Sequence, residues 1–372
     1  MADASPSDRP QLLPHIAAMK AYVPGRSTGD GGQKLIKLSA NENPLGCSPA
    51  ALAALDNGHQ PQYYPDPDAA ALREAIAAAH DLDAARIVCG AGSGELLSCA
   101  VQAYAGPGDE VLFSRYAFSL YPLLTQKVAA QAVLAAPAGD DGVAASVDNL
   151  LAAVTDKTRI VLLDNPNNPT GTYLPPAEVE RLHRGLAPHI LLVLDQAYAE
   201  YLPHAEAAHA LRLAEAHANV LVTRTFSKAH GLAAERIGWA TGHGDIIAGI
   251  NRLRGPFNVS ASGQRAALAA ITDAGFVEHS RQHNTRVRRA FTRRLASLGN
   301  RGIAVVPSEA NFVLVRFTGT LTATAAMAAL AQAGYAVRHL SDLDDALRIT
   351  IGTARDMEAV ADCLASASEN AG

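Results

Sequence analysis

At 372 residues the chain exceeds the usual size of one hydrophobic core, so a large domain with a smaller companion is expected. Its 49% hydrophobic and 18% charged residues exclude a disordered or fibrous protein. The formal net charge of -5 gives no electrostatic reason for a nucleic acid or an anionic membrane as partner, and no run of 18 apolar residues suggests a membrane span.

The N-terminus lacks a basic segment followed by an apolar stretch, so a cytoplasmic protein is expected. Cys47, Cys89, Cys99 and Cys363 show no C-x-x-C spacing and read as buried free thiols, and no metal site is expected. Residues 1 to about 33 read as an extended arm with one short helix. KLIKLSANENPLG then reads as a short strand ending in a turn, punctuated by Asn-Pro and Leu-Gly. From about 48 to 270, helical stretches such as PDAAALREAIAAAH (67–80) and GELLSCAVQAYA (94–105) alternate with the apolar runs RIVCG, EVLFS, RIVLLDN, ILLVLD and NVLVTRT. Strands apolar on both faces, alternating with helices, predict an α/β fold with a mainly parallel sheet covered on both sides. Beyond about 275, a long Arg-rich helix (HSRQHNTRVRRAFTRRLASLG) with a solvated face precedes strand candidates AVVPS, NFVLVRF and ALRITIG, a smaller α+β domain. The expected division is 1–45 (arm and part of the small domain), 46–272 (large domain) and 273–372 (C-terminal small domain).

A ligand of such a sheet belongs beyond the C-terminal ends of its strands. There RIVLLDNPNNPTG leaves a strand at Asp164 and enters two Asn-Pro steps, either a plain turn or one presenting amides to a ligand. ILLVLDQAYAEY places Asp195 at the end of an apolar strand, where a carboxylate must be paired, either as a helix cap or in a site that Tyr198 could also reach. NVLVTRTFSKAHG ends in Thr225, Ser227 and Lys228, the only lysine between residues 158 and 372. An amine drawn toward the interior loses basicity and becomes nucleophilic, and Arg236 eight residues on could hold a phosphate. RIVCGAGSGELL sets a Gly-rich turn before a helix, an anion site that lacks the third spaced glycine of a dinucleotide fingerprint. An anion cradle, a buried carboxylate facing a ring nitrogen and an imine-forming amine together satisfy the demands of pyridoxal 5'-phosphate.

ANENPLG, YYPDP, GAGSGELL, DNPNNPTG, DQAYAEY, TFSKAHGLAAERIGWA and ALRITIGT, in this order, resemble the fold-type I pyridoxal-phosphate aminotransferases, most closely the histidinol-phosphate aminotransferase group. The resemblance implies that Lys228 carries the cofactor, that Asp195 pairs with its ring nitrogen, and that Asn168 and Tyr198 bond its phenolic oxygen. It assigns Gly92, Ser93, Thr225, Ser227 and Arg236 to the phosphate pocket and Phe118 to a ring stacked on the pyridine. Tyr64 would reach the phosphate of a neighbouring subunit's cofactor, which implies a homodimer. Arg348 matches the arginine that binds the carboxylate of glutamate, Tyr22 and Arg338 lie near the substrate phosphate, and Asn311 lies near the substrate pocket.

The implied activity is transamination of histidinol phosphate with 2-oxoglutarate, giving imidazole acetol phosphate and glutamate in histidine biosynthesis. An aromatic amino acid aminotransferase, a threonine-phosphate decarboxylase-like lyase and a cofactor-binding regulatory module are the alternatives. The chain departs from the family pattern at Gly94, at His230, which replaces an aromatic residue, and at Glu235, which could pair with Arg236. The interval from Arg338 to Arg348 is also short.

Overall fold

The computed structural model describes residues 10–21, 28, 32–56 and 60–371. Its strands, in chain order, are β1 (Ile36–Lys37), β2 (Ile87–Gly90), β3 (Glu110–Ser114), β4 (Gln131–Ala135), β5 (Thr158–Asp164), β6 (Leu191–Asp195), β7 (Val220–Thr225), β8 (Gly238–Gly242), β9 (Ile303–Val306), β10 (Phe312–Phe317), β11 (Tyr335–Ala336), β12 (Arg338–Leu340) and β13 (Leu343–Thr350).

Seven of them form one mostly parallel sheet in the spatial order β2-β8-β7-β6-β5-β3-β4. Only β8 runs against its neighbours, β7 and β2. The alternation within the apolar strands explains why both faces are covered. Val161, Leu163, Leu192, Leu194 and Val222 face one core cluster, shared with Leu72 and Ile76 of the helix Ala70–His80. Ile160, Leu162, Leu191, Val193 and Leu221 face the other, shared with Leu96 and Leu97 of the helix Ser93–Tyr104 and Ile246 and Ile250 of the helix Gly244–Leu253. Each such leucine or isoleucine contributes about 1.5–3 kcal/mol relative to exposure.

The helix expected from residue 67 begins at Ala70, because Ala69 takes a left-handed conformation (φ 47°) and Asp66 Oδ2 accepts the Ala70 N–H at 2.7 Å. Neither QAVLA nor GWATG carried a strand signal, yet both are strands: β4 is an edge strand with three exposed positions, and β8 is framed by glycines. Gly238 is required by close approach, since a Cβ there would lie 2.3 Å from the Ser93 nitrogen and 2.9 Å from the Arg224 carbonyl oxygen.

The helix Ala274–Ala296 starts where Asp273 caps the Phe276 N–H. It exposes Arg286, Arg289, Arg293 and Arg294 but buries Arg288, whose Nη2 pairs with Glu309 at 2.7 Å. A four-stranded antiparallel sheet follows, ordered β12-β13-β10-β9. Val313, Val315, Leu347 and Ile349 pack there against Val287 and Phe291 of the long helix and Val360 and Leu364 of the helix Ala354–Asn370. The hairpin joining β12 to β13 pairs Leu340 with Leu343, leaving Ser341 and Asp342 at its tip, which accounts for the short interval between Arg338 and Arg348.

The N-terminal segment joins this part of the molecule. β1 pairs in parallel with β11, and Leu38 bonds Ala336 on one side and Thr350 on the other. Cys89 and Cys99 are buried, whereas Cys47 and Cys363 are only partly so, and all four thiols are free.

Candidate active site

Three adjacent strands end in one place: β5 at Asp164, β6 at Asp195 and β7 at Thr225. Side chains just past the last ladder bonds of parallel strands escape the sheet and are free to meet a ligand. Asp195 is buried, with Thr223 Oγ1 donating to Oδ1 at 3.2 Å and the Tyr121 hydroxyl to Oδ2 at 3.3 Å. Burial pushes its carboxyl up to about 6, against the pull of Thr223, Tyr121, the Ala197 N–H and the Lys228 charge. It therefore remains largely ionised near neutral pH and suits a protonated ring nitrogen.

Lys228 lies three residues beyond the end of β7, partly buried, and its Nζ donates to the Ala40 carbonyl at 2.9 Å. Burial, then the nearby Arg348 charge, brings its ammonium down to about 7. An amine so tuned is substantially neutral at physiological pH and nucleophilic. Tyr198 is buried edge-on to Phe312 (5.2 Å), and its hydroxyl accepts from Asn41 Nδ2 at 2.8 Å. Burial pushes its phenol up to about 12, opposed by Arg348 and Asn41.

At the head of the helix Ser93–Tyr104, Gly92 adopts φ 83° and ψ 162°. The Ala91 N–H is taken by Glu95 Oε2 (2.6 Å) and the Gly92 N–H by the Gly90 carbonyl (2.8 Å). A Cβ on Gly92 would fall 2.5 Å from Arg236 Nη2, so the turn and the guanidinium touch only because that carbon is missing. Arg236 Nη1 donates to Ser227 Oγ at 3.3 Å, and Thr225 Oγ1 is 2.9 Å from Ser227 Oγ. A helix N-terminus, two hydroxyls and a fixed cation converge as a phosphate requires. This glycine-dependent cradle, with the carboxylate and the amine nearby, fits pyridoxal phosphate.

Arg348 on β13 is buried over the Phe312 ring (5.3 Å). Its Nη2 donates to the Ser39 carbonyl at 2.7 Å and its Nη1 to Asn168 Oδ1. Asn311 Nδ2 donates to the Asn41 carbonyl at 3.0 Å. Phe118 is half-buried, edge-on to Tyr121 at 5.9 Å. Arg338 is half-buried and stands opposite Arg348 in the β12–β13 register.

Tyr64 is the exception: its ring is 82% exposed and stacks on Phe257 at 4.5 Å, away from these groups. Tyr22 lies outside the described residues. Glu235 does not take Arg236 as its partner; it accepts from Ser262 Oγ at 3.2 Å instead. His230 is buried against Phe226 (4.8 Å), and burial holds its imidazole down to about 4.

Four groups in the site carried no assignment from the sequence. Asn41 sits inside ANENPLG, and Tyr121 lies three residues past Phe118, so nearness to a matched segment or residue was the available signal for both. Thr223 and Asp164 look like ordinary strand residues until the strands are paired. Among the described residues, no group of three His, Cys, Asp or Glu side chains is placed to hold a metal, and no helix is long and apolar enough to cross a membrane.

Residues 33–364 match the family aminotransferase class I and II. The chain is 60% identical to a histidinol-phosphate aminotransferase of Erythrobacter litoralis, over 98% of this chain and 99% of that protein. It is 50% identical to one of Sphingopyxis alaskensis, over 99% of both. Among solved structures, the histidinol-phosphate aminotransferase of Sinorhizobium meliloti in complex with pyridoxal-5'-phosphate superimposes with a TM-score of 0.87 at 27% identity, covering 99% of this chain and 100% of that one.

Proposed function

From the premise that this chain belongs to the class I and II aminotransferase family, among the histidinol-phosphate aminotransferases, we propose that it transfers the amino group between histidinol phosphate and 2-oxoglutarate in histidine biosynthesis. The observation that carries the chemistry is that Lys228, just past the end of β7, lies beside Asp195 at the end of β6, with burial and then the Arg348 charge lowering the basicity of the lysine. Pyridoxal 5'-phosphate, when bound, supplies a carbonyl that condenses with amines and a ring that takes up the electrons released when Cα loses its proton.

The protein's residues divide the remaining work. Gly92, Ser93, Thr225, Ser227 and Arg236 hold the phosphate, and Phe118 packs on the ring. Asp195 keeps the ring nitrogen protonated, and Asn168 and Tyr198 orient the ring oxygen. Lys228 would anchor the cofactor through its Nζ, and the same Nζ, when free, would act as general base toward the Cα proton of the substrate and then as general acid. Arg348 binds the donor carboxylate of glutamate, with Arg338, Asn311 and Tyr22 around the rest of the substrate.

The chain acts as a cytoplasmic homodimer in which Tyr64, exposed on its own subunit, reaches the partner's phosphate. Residues 1–45 serve as arm and part of the small domain, 46–272 as the large cofactor domain and 273–372 as the C-terminal small domain; the capped start of the long helix at Asp273 supports the second boundary. The test is steady-state turnover with histidinol phosphate, phenylalanine, tyrosine and threonine phosphate, each with 2-oxoglutarate. Histidinol phosphate should give the highest kcat/KM, and Lys228→Ala should abolish turnover. A preference for an aromatic amino acid, or carbon dioxide release without an oxo acid, would overturn the substrate assignment.

A further inference from the structure

We propose that Asp164 is a positioning residue whose side-chain oxygens fix Asn168, and through it the end of the site where the ring oxygen is held; this rests on the pyridoxal-phosphate reading above. Asp164 is 5% exposed, the last residue of β5, and in register with Asp195 on β6, so two carboxyl groups are buried side by side. Burial, and the Asp195 charge beside it, push the Asp164 carboxyl up to about 8 against the pull of the Asn168 N–H, so it is largely protonated near neutral pH, and a plain chain reversal needs no buried acid.

Its two oxygens have separate donors. The Asn168 N–H donates to Oδ2 at 2.8 Å and Asn167 Nδ2 to Oδ1 at 3.1 Å. Asn167 is itself pinned: its Oδ1 accepts from the Thr170 N–H (3.0 Å) and hydroxyl (2.6 Å), and its Nδ2 also donates to the Tyr116 carbonyl (2.8 Å). Asp164 thus ties a rigid turn to the strand end and leaves Asn168 only its side-chain torsions. The Asn168 amide is oriented as well, because Arg348 is donor-only and must face Oδ1, which leaves Nδ2 as the end free to donate to an oxygen in the site.

The experiment titrates wild-type, Asp164→Ala and Asp164→Asn apoproteins with pyridoxal phosphate, pyridoxal and inorganic phosphate, and records the absorption maximum of the bound cofactor. The Ala variant should bind pyridoxal phosphate and pyridoxal about tenfold more weakly, because the buried Asn168 N–H is left without its acceptor, with a displaced absorption maximum and unchanged phosphate affinity. The Asn variant keeps an oxygen for the Asn168 N–H but sets an amide nitrogen against Asn167 Nδ2, so its affinity should fall between the two. Wild-type affinity and absorption in the Ala variant, or equal loss for inorganic phosphate, would overturn the role of Asp164 alone. Failure of the wild-type apoprotein to bind pyridoxal phosphate would overturn the parent reading with it.

Discussion

Replacing Gly92 with alanine isolates the phosphate end of the site. At φ 83° and ψ 162° the residue occupies a region essentially reserved for glycine, where another residue costs about 1–3 kcal/mol. The added Cβ would lie 2.5 Å from Arg236 Nη2. Ordinary contact needs about 3.5 Å, so the guanidinium must withdraw by roughly 1 Å. That is enough to lose one charge-assisted hydrogen bond to a phosphate, worth about 1.5–3 kcal/mol, or about 10- to 150-fold in affinity. Pyridoxal phosphate and pyridoxal should therefore respond differently, the first binding much more weakly to Gly92→Ala and the second nearly unchanged. The backbone strain should appear separately, as a lower melting temperature of the apoprotein. Arg236→Ala should reproduce most of the affinity loss, and the double variant should be little worse than either single one, because both remove the same contact. Equal losses for the two ligands, or additive effects in the double variant, would refute the argument that the glycine acts by admitting Arg236.

Two further outcomes follow from the geometry. His230 is held down to about 4 when folded and titrates near 6.5 when unfolded, so the stability tied to its neutral form is complete above about 6.5 and is lost as pH falls toward 4. His80, stacked on Trp239 and held down to about 3, acts in the same direction, so His230→Phe should flatten but not abolish the loss of urea stability between these pH values; an unchanged slope would count against it. Tyr64→Ala and Lys228→Ala chains, each defective alone, should regain one intact site when mixed as a dimer, seen as recovered transaminase activity. No recovery in verified mixed dimers would exclude Tyr64 from the neighbouring site.

The fold was legible where burial on both faces left its pattern in the chain. RIVLLDN, ILLVLD and NVLVTRT became β5, β6 and β7, and the acid and the lysine stood out because a charge at the end of such a strand needs a reason. β4 and β8 escaped because an exposed edge and a glycine-framed strand have no apolar run to announce them. Asn41 illustrates a deeper limit. Its role depends on a left-handed backbone (φ 57°) that a non-glycine residue does not advertise, and on Tyr198, 157 residues away. Asp164 likewise acquires its meaning only from a register that no single segment contains.

The stitching of Ser39 and Asn41 to β13 bears on how the molecule is made. Ser39 meets Arg348, and Asn41 meets Thr350, across 309 residues of chain. During synthesis from the N-terminus, β6 with Asp195 and the segment after β7 with Lys228 are finished long before Arg348 leaves the ribosome. Until then the 39–41 segment lacks these late partners, and Arg348 is missing from the groups around Lys228. A nascent chain can therefore present its amine early, and the stitch between Ser39, Asn41 and β13 closes only after β13 has been made.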